Sequence, residues 1–166
     1  IDNHPFKEDE KLDGHDPYSN SKSCSELVTH SYKKSFFSEA DSPAISTARA
    51  GNVIGGGDFS VDRIVPDCVR YTIKGDCINI RNPFAIRPYQ HVLEPLSVYL
   101  LIMMMQTKDK KYEDYYNVGP DIEDCVTTGN LADAFVNCWG ENAKWECVDE
   151  INAPHEASFL KLDCSK

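Results

Sequence analysis

Apolar positions recur with two different periods along this chain, and the alternation between them predicts a mixed α/β fold. Residues 1–15 show neither period and read as a polar, acidic surface loop. Asp16 can cap a helix with Pro17 at its first position, and Leu27, Val28, Ser31 and Tyr32 keep a stripe that carries the helix to about residue 37. Residues 44–50 read as a short strand. The glycine-rich run 51–57 reads as a loop that turns tightly or approaches another group closely. A helix is predicted over 64–74, closed by Gly75. Strands are predicted at 77–80 and 89–92, then an apolar helix from 94 to 105 that should be buried, with Met103, Met104 and Met105 in the core. Residues 108–111 read as a solvated loop. A strand at 115–118, a helix at 130–139 and a last strand at 159–162 complete the pattern.

Composition narrows the class. The 166 residues are 41% hydrophobic and include two tryptophans, which suits one folded domain with a core. A net charge of −10 repels nucleic acid and anionic lipid, so neither is an expected partner. A phosphate-bearing ligand would depend on local arginines, and there are five. The N-terminal residues do not have the pattern of a secretion signal, and the longest apolar run, 96–105, is too short to span a bilayer. Seven scattered cysteines, an odd number with no Cys-x-x-Cys, have no metal spacing. They read as reduced thiols of a cytoplasmic protein, used as small buried hydrophobes.

The candidate chemistry begins at Asp16-Pro17-Tyr18-Ser19-Asn20-Ser21-Lys22. Four residues apart on a helix, Tyr18 and Lys22 share a face. An ammonium beside a phenol favours the phenolate, which can act as a base toward a hydroxyl. With eight tyrosines and twelve lysines, about half a Tyr-x-x-x-Lys match arises by chance, so the neighbours decide. No G-x-G-x-x-G follows any predicted strand, and Gly55-Gly56-Gly57 has the wrong spacing for a pyrophosphate cradle. It reads equally well as a simple flexible turn. His91, alternating with strand neighbours, reads as a half-buried histidine rather than a catalyst.

Four segments together resemble the extended short-chain dehydrogenase/reductases that act on nucleotide sugars, the NAD-dependent epimerase/dehydratase family. They are Pro17 to Lys22, Arg49-Ala50-Gly51-Asn52-Val53-Ile54-Gly55, Arg63-Ile64-Val65-Pro66-Asp67, and Ile86-Arg87-Pro88-Tyr89-Gln90-His91-Val92. The run Gly51 to Asp58, the run Arg81 to Pro95, and His155 to Asp163 resemble the branch that dehydrates CDP-glucose. Ala157 stands where the dTDP-sugar branch commonly has an arginine, a departure that favours CDP.

The resemblance implies the C-terminal part of a Rossmann-like fold plus a smaller α/β substrate-binding domain. Residues 1–58 would belong to the NAD-binding domain and 59–166 mainly to the nucleotide-sugar region. It implies a chain cut at both ends and inactive alone, from an enzyme that is a homo-oligomer when intact. Tyr18 would be the base, and Lys22 would assist it and hold the nicotinamide ribose. Ala50, Asn52 and Val53 would join Tyr18 and Lys22 around NAD. Asn52, Arg63, Arg87, His155 and Glu156 would bind the substrate, CDP-glucose or a related nucleotide sugar, with the arginines at the pyrophosphate. An epimerase or reductase of the same superfamily would use the same Tyr18 and Lys22. A non-catalytic remnant that binds a nucleotide sugar is the rival from another class.

Overall fold

The computed structural model describes residues 4–140, 142–148 and 158–166. Helix α1 spans Pro17–Phe36. Its start follows from chemistry: the Asp16 carboxylate accepts the N–H groups of Tyr18 at 2.9 Å and Ser19 at 3.0 Å, and Pro17 needs no partner for a missing N–H. Strands β1 (Thr47–Ala50) and β2 (Asn52–Ile54) follow almost without a break. Helix α2 (Ile64–Lys74) ends where Gly75 takes the left-handed conformation, φ 77°, as predicted. Next come β3 (Ile78–Ile80), β4 (Ile86–Arg87), β5 (Tyr89–His91) and helix α3 (Leu93–Gln106). The chain closes with β6 (Tyr115–Val118), β7 (Val126–Thr127), helix α4 (Thr128–Trp139) and β8 (Trp145–Cys147).

The strands pair β1 with β6, β2 with β5 and β3 with β8 in parallel, and β4 with β7 antiparallel. Parallel pairs joined through helices confirm the α/β class. The point that matters for function is Gly51. Up to Ala50 the chain pairs with β6, opposite Val118; from Asn52 it pairs with β5, opposite Tyr89. The Gly51 N–H still donates to Val118, while the Asn52 N–H donates to the Pro88 carbonyl. A Cβ at position 51 would lie 2.6 Å from that carbonyl oxygen, so only glycine lets the two backbones approach. Ligands of α/β sheets gather where strands change partners in this way.

The core packs between α2, β3 and α4. Cys68 of α2, Ile78 and Ile80 of β3 and Ala132 of α4 are buried together, ringed by Ile64, Tyr71, Phe135, Val136 and Trp145. Burial, with Asp67 adding to it, pushes the Cys68 thiol up to about 11, so this cysteine is inert.

Several expectations are corrected. The run 51–57 is not all loop, because β2 takes residues 52–54 by finding β5 as a partner. No continuous strand forms at 159–162; Phe159 makes a single bridge to Ile86, and Leu162 makes one to Phe6. That second bridge pins the polar N-terminal segment, whose Phe6 carbonyl also accepts from Asn117 at 2.8 Å. Residues Lys110–Tyr112 form a short 3-10 turn because Asp109 caps it. Cys24, Cys138 and Cys147 are exposed rather than buried. His91 is exposed as well, its backbone N–H bonded to Glu94 at 2.8 Å.

The largest correction concerns α3, which is not a core helix. Leu93, Leu100 and Met103 are each more than 60% exposed, and Leu96, Leu101 and Met104 are about half exposed. It packs on β5 and the turn Lys110–Tyr112, and its apolar character all round exceeds what that packing covers. Leu27, Val28, Tyr32 and Phe36 of α1 are likewise exposed. Contiguous apolar area of this kind drives association. The expected result for the 166-residue chain is concentration-dependent self-association in sedimentation velocity, reduced by Leu100→Lys. A clean monomer at all concentrations would contradict it. Among the described residues no helix is long and apolar enough to cross a membrane.

Candidate active site

Two groups of candidate residues stand on separate pieces of the fold. The first is the N-terminal turn of α1. Tyr18 is 68% exposed, and the Lys22 ammonium lies 5.4 Å from the centre of its ring. The helical spacing thus brings the two together as the sequence predicts, on a face a ligand can reach. Two ion pairs fix this helix, one to β1 and one to the turn that precedes β6. Arg49 of β1 grips Glu26 with two bonds of 2.5 Å, and its third nitrogen donates to the Glu8 carbonyl at 3.1 Å. Lys33 meets Glu113 at 2.9 Å. Neither pair is marked by a motif, so the sequence did not reveal them.

The Lys33–Glu113 pair has a pH signature. Burial alone would raise the Glu113 carboxyl, but Lys33 and the Ile45 N–H outweigh it, and the net position is below the ordinary 4.5. A carboxyl lowered on folding adds stability above its unfolded value, and that stability is lost as pH falls through the lowered one. Urea unfolding should therefore show stability falling below about pH 4.5, with a shallower fall in Glu113→Gln. Identical slopes for the two proteins would remove this pair from the account.

The second group lines a cleft of about 1030 Å³ between β2, α2 and β3. Asn52, Val53, Arg63 and Arg87 all line it. Arg87 is 8% exposed and donates to the Ile86 carbonyl at 2.9 Å. Arg63 stands just before α2, where its side chain makes no capping bond. Tyr18 and Lys22 are not among the residues lining this cleft, nor is Ala50, which ends β1 beside Gly51. His155 and Glu156 lie outside the described residues.

The cleft also holds residues that sequence reasoning did not single out: Phe59, Tyr71, Asn79, Arg81 and Thr128. A signal existed for two of them. In Ile78-Asn79-Ile80-Arg81 the isoleucines of β3 are buried and the two polar residues exposed, the alternation of a half-buried strand. Three of the five arginines, 63, 81 and 87, therefore line one cleft of a protein whose net charge is −10. Asp58, Asp62 and Asp67 line it too, but Asp67 is paired with Arg70. Three guanidinium groups in one space are the residue type that suits a phosphate-bearing anion.

The chain matches no family model. It is 46% identical, over 97% of its length, to CDP-glucose 4,6-dehydratase of Salmonella typhimurium strain LT2. Its fold matches a dTDP-glucose 4,6-dehydratase from Bacillus anthracis, solved in complex with NAD, with a TM-score of 0.76 at 16% identity, covering 99% of this chain and 49% of that one. It matches a UDP-glucuronic acid 4-epimerase from Bacillus cereus, solved with UDP-glucuronic acid and NAD, with a TM-score of 0.79 at 17% identity, covering 98% and 48%. The chain spans about half the length of each, 46% in the case of the Salmonella enzyme.

Proposed function

We infer that this chain belongs with the NAD-dependent epimerases and dehydratases of the extended short-chain dehydrogenase/reductases and serves a 4,6-dehydratase acting on CDP-glucose. The observation that carries this reading is Lys22 held over the Tyr18 ring on a helix clamped to β1, the strand that leads into an arginine-lined cleft. The 46% identity to a CDP-glucose 4,6-dehydratase supports CDP as the nucleotide.

In this reading Tyr18 takes the proton of the sugar C4 hydroxyl. The charge of Lys22, 5.4 Å from the ring centre, stabilises the negative charge that develops on the phenol. Arg63 and Arg87 neutralise the diphosphate, and Asn52 fixes the sugar or phosphate from the start of β2. The donor set also fits the nicotinamide ribose of NAD, since an exposed ammonium and phenol stand side by side for its hydroxyls, with Ala50, Asn52 and Val53 following on the same stretch of backbone. Bound NAD would oxidise C4 and reduce C6 in turn, so the net change is loss of water. A domain boundary near residue 58 fits this division, with the proton-transfer helix before it and the arginines after it. His155 and Glu156 remain candidates for the nucleotide end.

A second reading, 4-epimerase, draws on the Bacillus cereus epimerase at a TM-score of 0.79, because Tyr18 and Lys22 would serve both reactions. The free state of all seven cysteines supports a cytoplasmic setting, and the exposed apolar faces of α1 and α3 support a homo-oligomer. The deciding experiment incubates the full protein containing this chain with CDP-glucose and with UDP-, dTDP- and GDP-glucose, reading products by NMR. The expected product is a 4-keto-6-deoxy sugar from CDP-glucose alone. A 4-epimer instead would favour the second reading and remove the first.

A further inference from the structure

One side chain in the cleft is exposed on a backbone that is held. Phe59 lines the cleft and is 84% exposed. Its carbonyl accepts a bond of 3.0 Å from Arg70, and the Ser60 carbonyl accepts from the same nitrogen at 3.2 Å. The Ser60 N–H donates to Asp58 at 2.9 Å. Arg70 is itself paired with Asp67 on α2. Loop 58–60 is therefore fastened to the helix that forms one side of the cleft, while the ring at its centre faces solvent.

An exposed phenylalanine is by itself ordinary. Phe84 is just as exposed, at 82%, but does not line the cleft. Phe59 differs by sharing the cleft with Arg63, Arg81 and Arg87 and with the apolar surfaces of Val65, Ile78 and Ile80. Anion-binding arginines and a held aromatic ring in one space match the two ends of a nucleoside diphosphate. The volume, about 1030 Å³, is at the upper end of the roughly 300–1,000 Å³ of small-molecule sites.

We propose that Phe59 is the stacking platform for the base of the nucleotide sugar, with the arginines taking the diphosphate. The proposal rests on the reading of this cleft as a nucleotide-sugar site. A ring with two rotatable bonds on a fastened backbone loses little freedom when a base covers it. Stacking of one base on an aromatic side chain raises affinity roughly fivefold to a hundredfold. Because every base has a π-face, Phe59 supplies affinity for the nucleoside end rather than the choice of base.

The test titrates the full protein, as wild type, Phe59→Leu and Phe59→Trp, with CDP and with inorganic pyrophosphate by calorimetry. Phe59→Leu should bind CDP at least about fivefold more weakly and pyrophosphate as well as wild type does. Phe59→Trp should keep CDP affinity, and its added fluorescence should be quenched by CDP and not by pyrophosphate. Unchanged CDP affinity in Phe59→Leu overturns the stacking role and leaves the nucleotide site standing. Equal losses for CDP and pyrophosphate overturn it as well, because the loop would then be acting on the phosphates. Failure of the wild type to bind CDP overturns the reading of the cleft, and the stacking role with it.

Discussion

Replacing Tyr18 with phenylalanine in the full protein is expected to leave CDP-glucose affinity within about twofold and to lower turnover by about 10²–10⁴. The substitution keeps the ring beneath Lys22, 5.4 Å from its centre, and removes the phenol oxygen proposed to accept the C4 proton. The ring is 68% exposed and its backbone N–H is held by Asp16, so the helix start should survive the change. Calorimetric titration gives the affinity and an assay of the keto-sugar gives the rate. The split between the two matters: an interaction used only in the transition state lowers turnover without weakening ground-state binding. Near-normal turnover would end the assignment of Tyr18 as base.

Replacing Arg87 with alanine should produce the opposite split. Affinity for CDP-glucose should fall by about 1.5–3 kcal/mol, roughly tenfold to a hundredfold, as a charge-assisted contact to the diphosphate is deleted. Arg87 is 8% exposed and bonds to the Ile86 carbonyl, so its loss also unsettles β4. Arg87→Lys separates these effects: it keeps the charge, and it loses the planar fork that can address two phosphate oxygens at once. Lysine should recover part of the affinity. Full affinity in Arg87→Ala would remove this residue from the site and leave the role of Tyr18 untouched.

Legibility in the sequence followed the range of the interactions. The Asp16-Pro17 start of α1 and the Gly75 end of α2 are local, set by caps and a single φ angle, and both stand where the sequence predicts them. The gathering of Asn52, Arg63 and Arg87 came from family resemblance, and the cleft that holds them depends on long-range pairing of β2 with β5. Phe59 carries no motif, because cleft lining is a property of the folded chain, and for Arg81 the only signal was the half-buried alternation of β3. The error at α3 has a clear physical origin. A run that is apolar on every side is the pattern of a buried helix, yet burial needs a surface to pack against, and the described residues cover only part of this one. The Arg49–Glu26 clamp joins residues 23 positions apart, a spacing that no helical or strand period points to.

The central claim is that this chain serves a dehydration in which the C4 hydroxyl loses its proton to Tyr18. CDP-glucose carrying deuterium at C4 tests it most directly, with the full protein and product analysis by NMR and mass spectrometry. The account predicts a 4-keto-6-deoxy product with the deuterium at C6 of the same sugar, formed by wild type and absent with Tyr18→Phe. A product that retains deuterium at C4, or a labelled 6-deoxy product formed equally well by Tyr18→Phe, would contradict it.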